Sequence, residues 1–468
     1  MTRPPRTAAL AAALVTTLVA TLLASTPAGA AAPGEREPIA RAAVRGPIPG
    51  TVPGDPLAER LADTYPFFST PSDLAAKGYV EEEFYLSGVA DGWDTAGNQV
   101  ATDVAYQTRL VVRRPADPRR FNGVALVEWQ NVTAGYDLDA LWNAESTIRA
   151  GDAWIGVSAQ RVGVDQLRGW SPTRYGGLDV TGGGRYVGDQ LSYDIFAQAG
   201  RAVADPRGVS PLGRLRARTV LAIGASQSAG RMTVYYDRVL PQVQPVFDGY
   251  GFIVGSAPTR VGDEPVFQVL SETDVRTPVR PADTDRFRRW EVAGAAHSGQ
   301  NGQVYRAPIQ ERDLGAAPVY TCARPPFSRV PMQHVTAAAY AHLVRWVERG
   351  TPPPTAPPLV FNPDGTKARD AHGLARGGIR LSQVAVPTAL NTGDNAGESF
   401  CVLFGTYQPF DEATLDQLYR THAGYVARVV TADVRNVAAG YLQPADAAEN
   451  LREALRADVG RHGGTRRP

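Results

Sequence analysis

Apolar and polar residues alternate between Val80 and Val112, first through Glu83-Phe84-Tyr85-Leu86 and then through Tyr106-Gln107-Thr108-Arg109-Leu110. A period of two with β-branched residues predicts a half-buried antiparallel strand pair. The pattern then changes. Residues 123–129, 153–158, 219–224 and 265–270 are short, continuously apolar runs. Strands buried on both faces read this way, as in a parallel sheet. Helical patterning falls between and after them, at 193–203, 230–240 and 335–347, and again over 411–457 with a break near Gln443-Pro444. Strand–helix alternation predicts an α/β fold, with a mostly parallel central sheet flanked by helices. The proline run at 351–358 divides a core at 61–350 from a C-terminal extension or cap at 351–468, packed on that core. Residues 31–60, rich in Pro, Gly and Arg, predict a linker or disordered arm.

The first thirty residues carry Arg3 and Arg6, then an apolar run, then Ala28-Gly29-Ala30. A positive start, an apolar middle and a small-x-small site predict a signal peptide and a secreted chain, extracellular or in the cell envelope, without stable membrane insertion after cleavage. The chain has 468 residues and a net charge of +1, so bulk charge gives no reason to bind nucleic acid. Two cysteines, Cys322 and Cys401, are too few for a four-cysteine metal site. Export makes a disulfide between them permissible, although sequence alone does not give the geometry.

The run Ile223-Gly224-Ala225-Ser226-Gln227-Ser228-Ala229-Gly230 ends an apolar strand and opens a helix. This is the setting of a nucleophile elbow, in which a strained turn exposes a serine between small residues. The usual closing glycine is Ser228 here. Ser226 is the preferred nucleophile because it follows the strand end directly; Ser228 is the alternative register. A serine nucleophile needs a base and an acid that orients it, in the chain order Ser, Asp/Glu, His on this kind of sheet. Asp274 follows the 265–270 strand, with Glu272 as the alternative acid, and His297 follows another apolar strand. The N–H of Gln227 stands where it can face a developing oxyanion.

Several further motifs occur in order. They are Phe121-Asn122-Gly123, Glu128-Trp129-Gln130-Asn131, Arg174-Tyr175-Gly176, Tyr193-Asp194-Ile195-Phe196, Asn362-Pro363-Asp364-Gly365 and Gly377-Gly378-Ile379-Arg380. With the serine turn, Ser271-Glu272-Thr273-Asp274 and His297, they make the chain resemble the α/β-hydrolase superfamily over residues 80–460. More narrowly, it resembles the family called alpha/beta hydrolase domain-containing protein. The resemblance implies the α/β-hydrolase fold and a serine hydrolase acting on carboxylic esters, with Ser226, His297 and Asp274 as its catalytic residues. It requires no metal or organic cofactor. The second oxyanion donor comes from the loop at 130–137, with Asn131 as the candidate. Asn131-Val132-Thr133 also reads as a glycosylation sequon, discounted because the loop belongs to the expected site.

The substrate expected is a small-molecule or lipid-like ester. A long loop insertion at 159–190 either lines a pocket with Trp170, Tyr175 and Tyr186 or packs on its own aromatics. Arg161, Arg168, Arg174 and Arg185 in it are candidates for binding a substrate carboxylate. An acyltransferase with the same triad and a non-catalytic binding protein on the same scaffold are the competing readings. A dehydrogenase is disfavoured, since no G-x-G-x-x-G opens a helix early in the chain.

Overall fold

A computed structural model describes residues 36–50 and 65–461. The expected signal peptide at 1–30 lies outside them. Ten strands form one sheet: β1 Ala43–Arg45, β2 Tyr79–Trp93, β3 Gln99–Pro115, β4 Val124–Trp129, β5 Ala153–Val157, β6 Arg207–Gly208, β7 Thr219–Ala225, β8 Gly249–Ile253, β9 Val266–Ser271 and β10 Phe287–Val292. Their order across the sheet is β10-β9-β8-β7-β4-β5-β3-β2-β1-β6. From β5 through β10 neighbouring strands run parallel, while β3 pairs antiparallel with both β2 and β5. The pattern-based division into an antiparallel pair and a parallel sheet therefore holds, and the two parts share one sheet.

The pleat explains why the parallel strands are apolar throughout. On β4, Val124 and Leu126 join one core, while Ala125, Val127 and Trp129 join the other. On β7, Val220 and Ala222 separate in the same way from Leu221 and Ile223. The valine, leucine and isoleucine side chains among them each contribute about 1.5–3 kcal/mol by leaving water. The helix Ser192–Ala204 covers one face through Ile195, Phe196 and Ala199. The helix Met332–Arg349 covers the other through Val335, Ala339, Leu343 and Trp346, which recur at helical spacing. That helix stops at Gly350, whose φ of +64° returns its N–H to the Trp346 carbonyl.

Two local expectations change. Within the segment read as a linker, β1 joins the sheet, antiparallel to β2 and parallel to β6. Three residues among prolines and glycines give no periodicity, and the neighbouring strand supplies the order. The insertion at 159–190 contains the helix Arg161–Trp170. Gly163 reads as a helix breaker, yet it is there for room: a Cβ would lie 1.9 Å from Asp137 Oδ1. The C-terminal extension belongs to the same compact unit as the core. It adds a small sheet of β11 (Ala389–Thr392) and β12 (Thr406–Pro409), and the helices Glu412–Leu418, His422–Ala438 and Pro444–Arg456. Among the described residues no helix is long and apolar enough to cross a membrane.

Candidate active site

β7 ends at Ala225 and the helix Gln227–Val234 begins two residues later, so Ser226 makes the turn alone. Its φ is +55° and its ψ −115°. Non-glycine residues held in such regions cost about 1–3 kcal/mol each and cluster at functional sites. Glycines let strand and helix approach around it. A Cβ on Gly224 would lie 3.1 Å from Ala229 N, and one on Gly255 would lie 2.6 Å from Ala229 Cβ and 3.0 Å from the Ser226 carbonyl oxygen. Ser228 is buried, and its Oγ accepts from the Ala225 N–H and donates to the Ala225 carbonyl, at 3.0 Å each. Ser228 is thus a clasp of the turn, while Ser226 lines the cavities beside it.

His297 lies in the loop after β10, and its Nδ1 is 2.7 Å from Asp274 Oδ1. The other Asp274 oxygen accepts from Ser271 Oγ at 2.5 Å. The His297 N–H donates to Thr273 Oγ1 at 3.2 Å, and Thr273 donates in turn to the Gly393 carbonyl at 2.6 Å. With Nδ1 held by a carboxylate, Nε2 is the ring nitrogen left to exchange a proton with a cavity group. Glu272 has other partners. It is fully buried, accepts the Gly294 N–H at 2.6 Å and pairs with Arg369 of the C-terminal extension at 2.6 Å.

Ser226 and His297 line a cavity of about 440 Å³. With Asp274 they also line a second cavity of about 430 Å³. The two meet at Ser226, Val254, His297 and Leu403. The first is walled by large side chains such as Trp142, Tyr320, Met332, Phe400 and Phe404. The second is polar, with Gln268, Arg276 and Thr277.

Gln227 opens its helix, where the N–H has no acceptor within the helix. Its side chain is tied to Gln160, with bonds of 2.5 and 3.2 Å between the two amides. Asn131 lines the first cavity; its backbone N–H goes to the Leu138 carbonyl at 3.3 Å and its side-chain amide donates to the Ala225 carbonyl at 2.9 Å. Val132 N–H goes to Gln227 Oε1 and Thr133 N–H to Asn131 Oδ1. Ala134, next along the loop, also lines the cavity, and its N–H has no acceptor among the described residues.

One cavity wall is the helix Gln300–Leu314, which the sequence pattern did not predict, because Gly302 and Pro308 read as breaks. Tertiary contacts hold it in place. Tyr305 donates to Asp139 at 2.5 Å, Gln310 donates to Tyr136 at 2.8 Å, and Asp313 accepts from Tyr65 Oη and the Phe68 N–H. Asp139 belongs to a buried charge lattice. It pairs with Arg113 at 2.5 Å, and Arg113 pairs with Glu81 at 2.6 Å. Beside it, Arg109 pairs with Glu83 at 3.0 Å and Asp137 at 3.3 Å, while Glu83 also takes Arg174. Burial raises the Asp139 carboxyl above the usual carboxylate range, against the pull of Arg113.

The insertion at 159–190 settles on packing. Trp170 sits edge-on to Tyr65 and Phe67, and Tyr175 donates to Glu83 at 2.6 Å. None of Arg161, Arg168, Arg174 and Arg185 lines either cavity. Arg161 and Arg168 pair with Asp165, and Arg174 pairs with Glu83. The C-terminal extension does reach the site. Phe400, Leu403 and Phe404 border the first cavity, and Cys401, in the same short helical turn, is disulfide-bonded to Cys322. Nothing in the apolar pattern marks these residues; the cysteine pair was their one sequence signal.

No curated protein matches the chain significantly. Among solved structures it is similar to a carboxylesterase of Geobacillus stearothermophilus, at 15% identity over 32% of this chain and 29% of that one, with a TM-score of 0.22. It is also similar to a rice cell wall degrading esterase of Xanthomonas oryzae, at 13% identity over 38% and 42%, with a TM-score of 0.22. A third is acetyl xylan esterase 1 of a Thermoanaerobacterium species, at 11% identity over 37% and 48%, with a TM-score of 0.22. The chain spans less than half the length of each, and such scores assign nothing. The family described as alpha/beta hydrolase domain matches residues 44–452, nearly the whole described chain, with the serine turn and the His297–Asp274 pair inside the match. The protein is a member of that alpha/beta hydrolase family.

Proposed function

We propose that the protein is an exported serine hydrolase that cleaves carboxylic esters through an acyl-enzyme. The observation that carries this is one cavity bordered both by a serine on a strained turn and by a histidine whose Nδ1 is held 2.7 Å from a carboxylate. Ser226 attacks the ester carbonyl while His297 Nε2 takes its proton, and Asp274 fixes the imidazole tautomer and stabilises the imidazolium. The oxyanion faces the Gln227 N–H and the Ala134 N–H. His297 then protonates the leaving alcohol, and water releases the acid in a second round.

Two cavities meeting at the serine suit a bond with a group on either side. The larger lies within the usual 300–1,000 Å³ of small-molecule sites. Export is supported by the leader-like first thirty residues and by the Cys322–Cys401 disulfide, a bond that persists in oxidising compartments.

The test is labelling of the purified chain with a fluorophosphonate serine probe. Wild type and Ser228→Ala are expected to label, and Ser226→Ala and His297→Ala to stay dark. A folded wild type that fails to label removes the serine-hydrolase reading.

A further inference from the structure

Arg306, on the cavity-wall helix Gln300–Leu314, lines the larger cavity together with Ser226 and His297. Among the described residues it is the one arginine or lysine that does so. It is half-buried, and its side-chain hydrogen bond goes to the neutral Ser298 Oγ at 2.7 Å. No carboxylate of the described residues lies within ion-pair distance of it. The other arginines drawn in from solvent nearby are all matched: Arg109 with Glu83 and Asp137, Arg113 with Glu81 and Asp139, Arg174 with Glu83.

Asp139 is the acid whose charge reaches Arg306, but its bonds go to Arg113 and Tyr305. Glu145, on the cavity border, is an exposed carboxylate paired with Lys77. Burial pulls the Arg306 guanidinium below the ordinary arginine range, as expected for a cation taken from water without a counter-ion beside it. Ser298 also accepts from Gln303 Nε2 at 3.0 Å, so its hydroxyl hydrogen is free to turn toward the cavity. The wall thus offers a guanidinium fork and a hydroxyl, and lacks only the anion.

We propose that Arg306 binds a carboxylate of the substrate, so that the enzyme selects esters carrying a free carboxylate on the half that enters the larger cavity. This rests on the serine-hydrolase reading and adds a substrate class to it. A guanidinium meets a carboxylate through two parallel N–H bonds, a geometry that a lysine reproduces only as a point charge.

The test uses matched acid and neutral probes. For the acyl half these are the 4-nitrophenyl hemiesters of adipate and pimelate and their methyl-capped counterparts. For the alcohol half they are 4-acetoxybenzoate and 4-acetoxytoluene. In one of these two sets the acid is expected to exceed its neutral partner in kcat/KM by about tenfold to a hundredfold, the scale of a charged hydrogen bond. Arg306→Gln brings that ratio close to one, and Arg306→Lys retains part of it. If Arg306 merely steadies the Ser298 loop, its variants lower both rates and leave the ratio alone, which overturns the proposal. Equal rates for acid and neutral probes in wild type overturn it too, as does a ratio that disappears in Arg276→Gln instead. Serine labelling separates a failure of specificity from a failure of the hydrolase reading. Calorimetric titration with adipate monoanilide tests the carboxylate site without turnover. Binding that is lost in Arg306→Gln supports the site, and binding that is unchanged in Arg306→Gln overturns it.

Discussion

The serine turn and the charge lattice beneath β2 and β3 are built in opposite ways. The turn is made by neighbours: Gly224, Ala225, Ser226 and Ser228 are within five residues, and Ser228 Oγ closes it on Ala225. The lattice draws Glu81 and Glu83 from β2, Arg109 and Arg113 from β3, Asp137 and Asp139 from the loop after β4, and Arg174 from the insertion. Both lie where the cavity is formed, since Ser226 and Asp139 line it together. The turn holds a serine in strained backbone at the cavity, while the lattice gives buried charges their partners and holds the wall through Tyr305. A local device can therefore be read from a short motif, whereas a gathered one has no motif at all.

The largest effects should fall on the local side and be chemical. Ser226→Ala and Asp274→Asn are each expected to lower ester turnover by about 10⁴-fold or more, with little change in melting temperature, measured by steady-state kinetics and calorimetry. Ser228→Ala should reverse this order, losing stability first, because the turn loses both Ser228 bonds to Ala225 and the carbonyl is left with its bond from Asn131. A Ser226→Ala protein that unfolds would erase the contrast.

The gathered side should answer in stability. Arg109→Met leaves Glu83 and Asp137 buried with one fewer cation, and a loss of about 3–5 kcal/mol is expected in denaturant titration. Replacing Arg109, Glu83, Asp137 and Arg174 together by apolar residues should cost less than this single change, because no unpaired charge remains. A larger loss in the combined variant would show that the lattice stabilises the fold outright.

The Cys322–Cys401 bond joins segments 79 residues apart beside the cavity. Its removal by Cys322→Ser with Cys401→Ser is expected to cost about 2–4 kcal/mol in thermal unfolding. If hydrogen exchange at 399–404 rises while the β4–β7 region stays protected, the aromatic border of the cavity is locally held.

The smallest effect is pH-dependent and lies away from both regions. Asp152 is buried, accepts from Asn122 at 2.6 Å, and has its carboxyl pushed up to about 7 by burial. A raised carboxyl penalises the ionised folded state. That penalty is absent below pH 4, grows as pH rises toward 7, and is constant above it. Asp152→Asn should therefore match wild type near pH 4 and gain on it steadily as pH rises to 8, in unfolding curves across that range. A gap that does not vary with pH would assign the effect to the Asn122 bond instead.

Periodicity and a few small-residue turns were enough to predict the sheet, its antiparallel start, the Met332–Arg349 helix and a serine turn followed by an acid and a histidine. These features are written over four to twenty consecutive residues, where hydrophobic period and backbone sterics act directly. The separation of Asp274 from Glu272 is different. Both end the same strand, and only the packing of Arg369 and Gly294 on one, and of His297 on the other, tells them apart. The same holds for the arginines. The insertion offered four by sequence proximity, and each is placed outside the cavities, while Arg306 lines one from a helix that Gly302 and Pro308 concealed. The phenylalanines of the C-terminal extension reach the cavity from about 175 residues beyond Ser226. By itself, then, the sequence determined the long alternating pair, the continuously apolar strands around the serine turn and the place of that turn, because those follow from local sterics and burial. Tertiary structure alone decided which charges are neutralised and which cation is left facing the cavity, because charge pairing depends on distance in space, which one chain's order does not record.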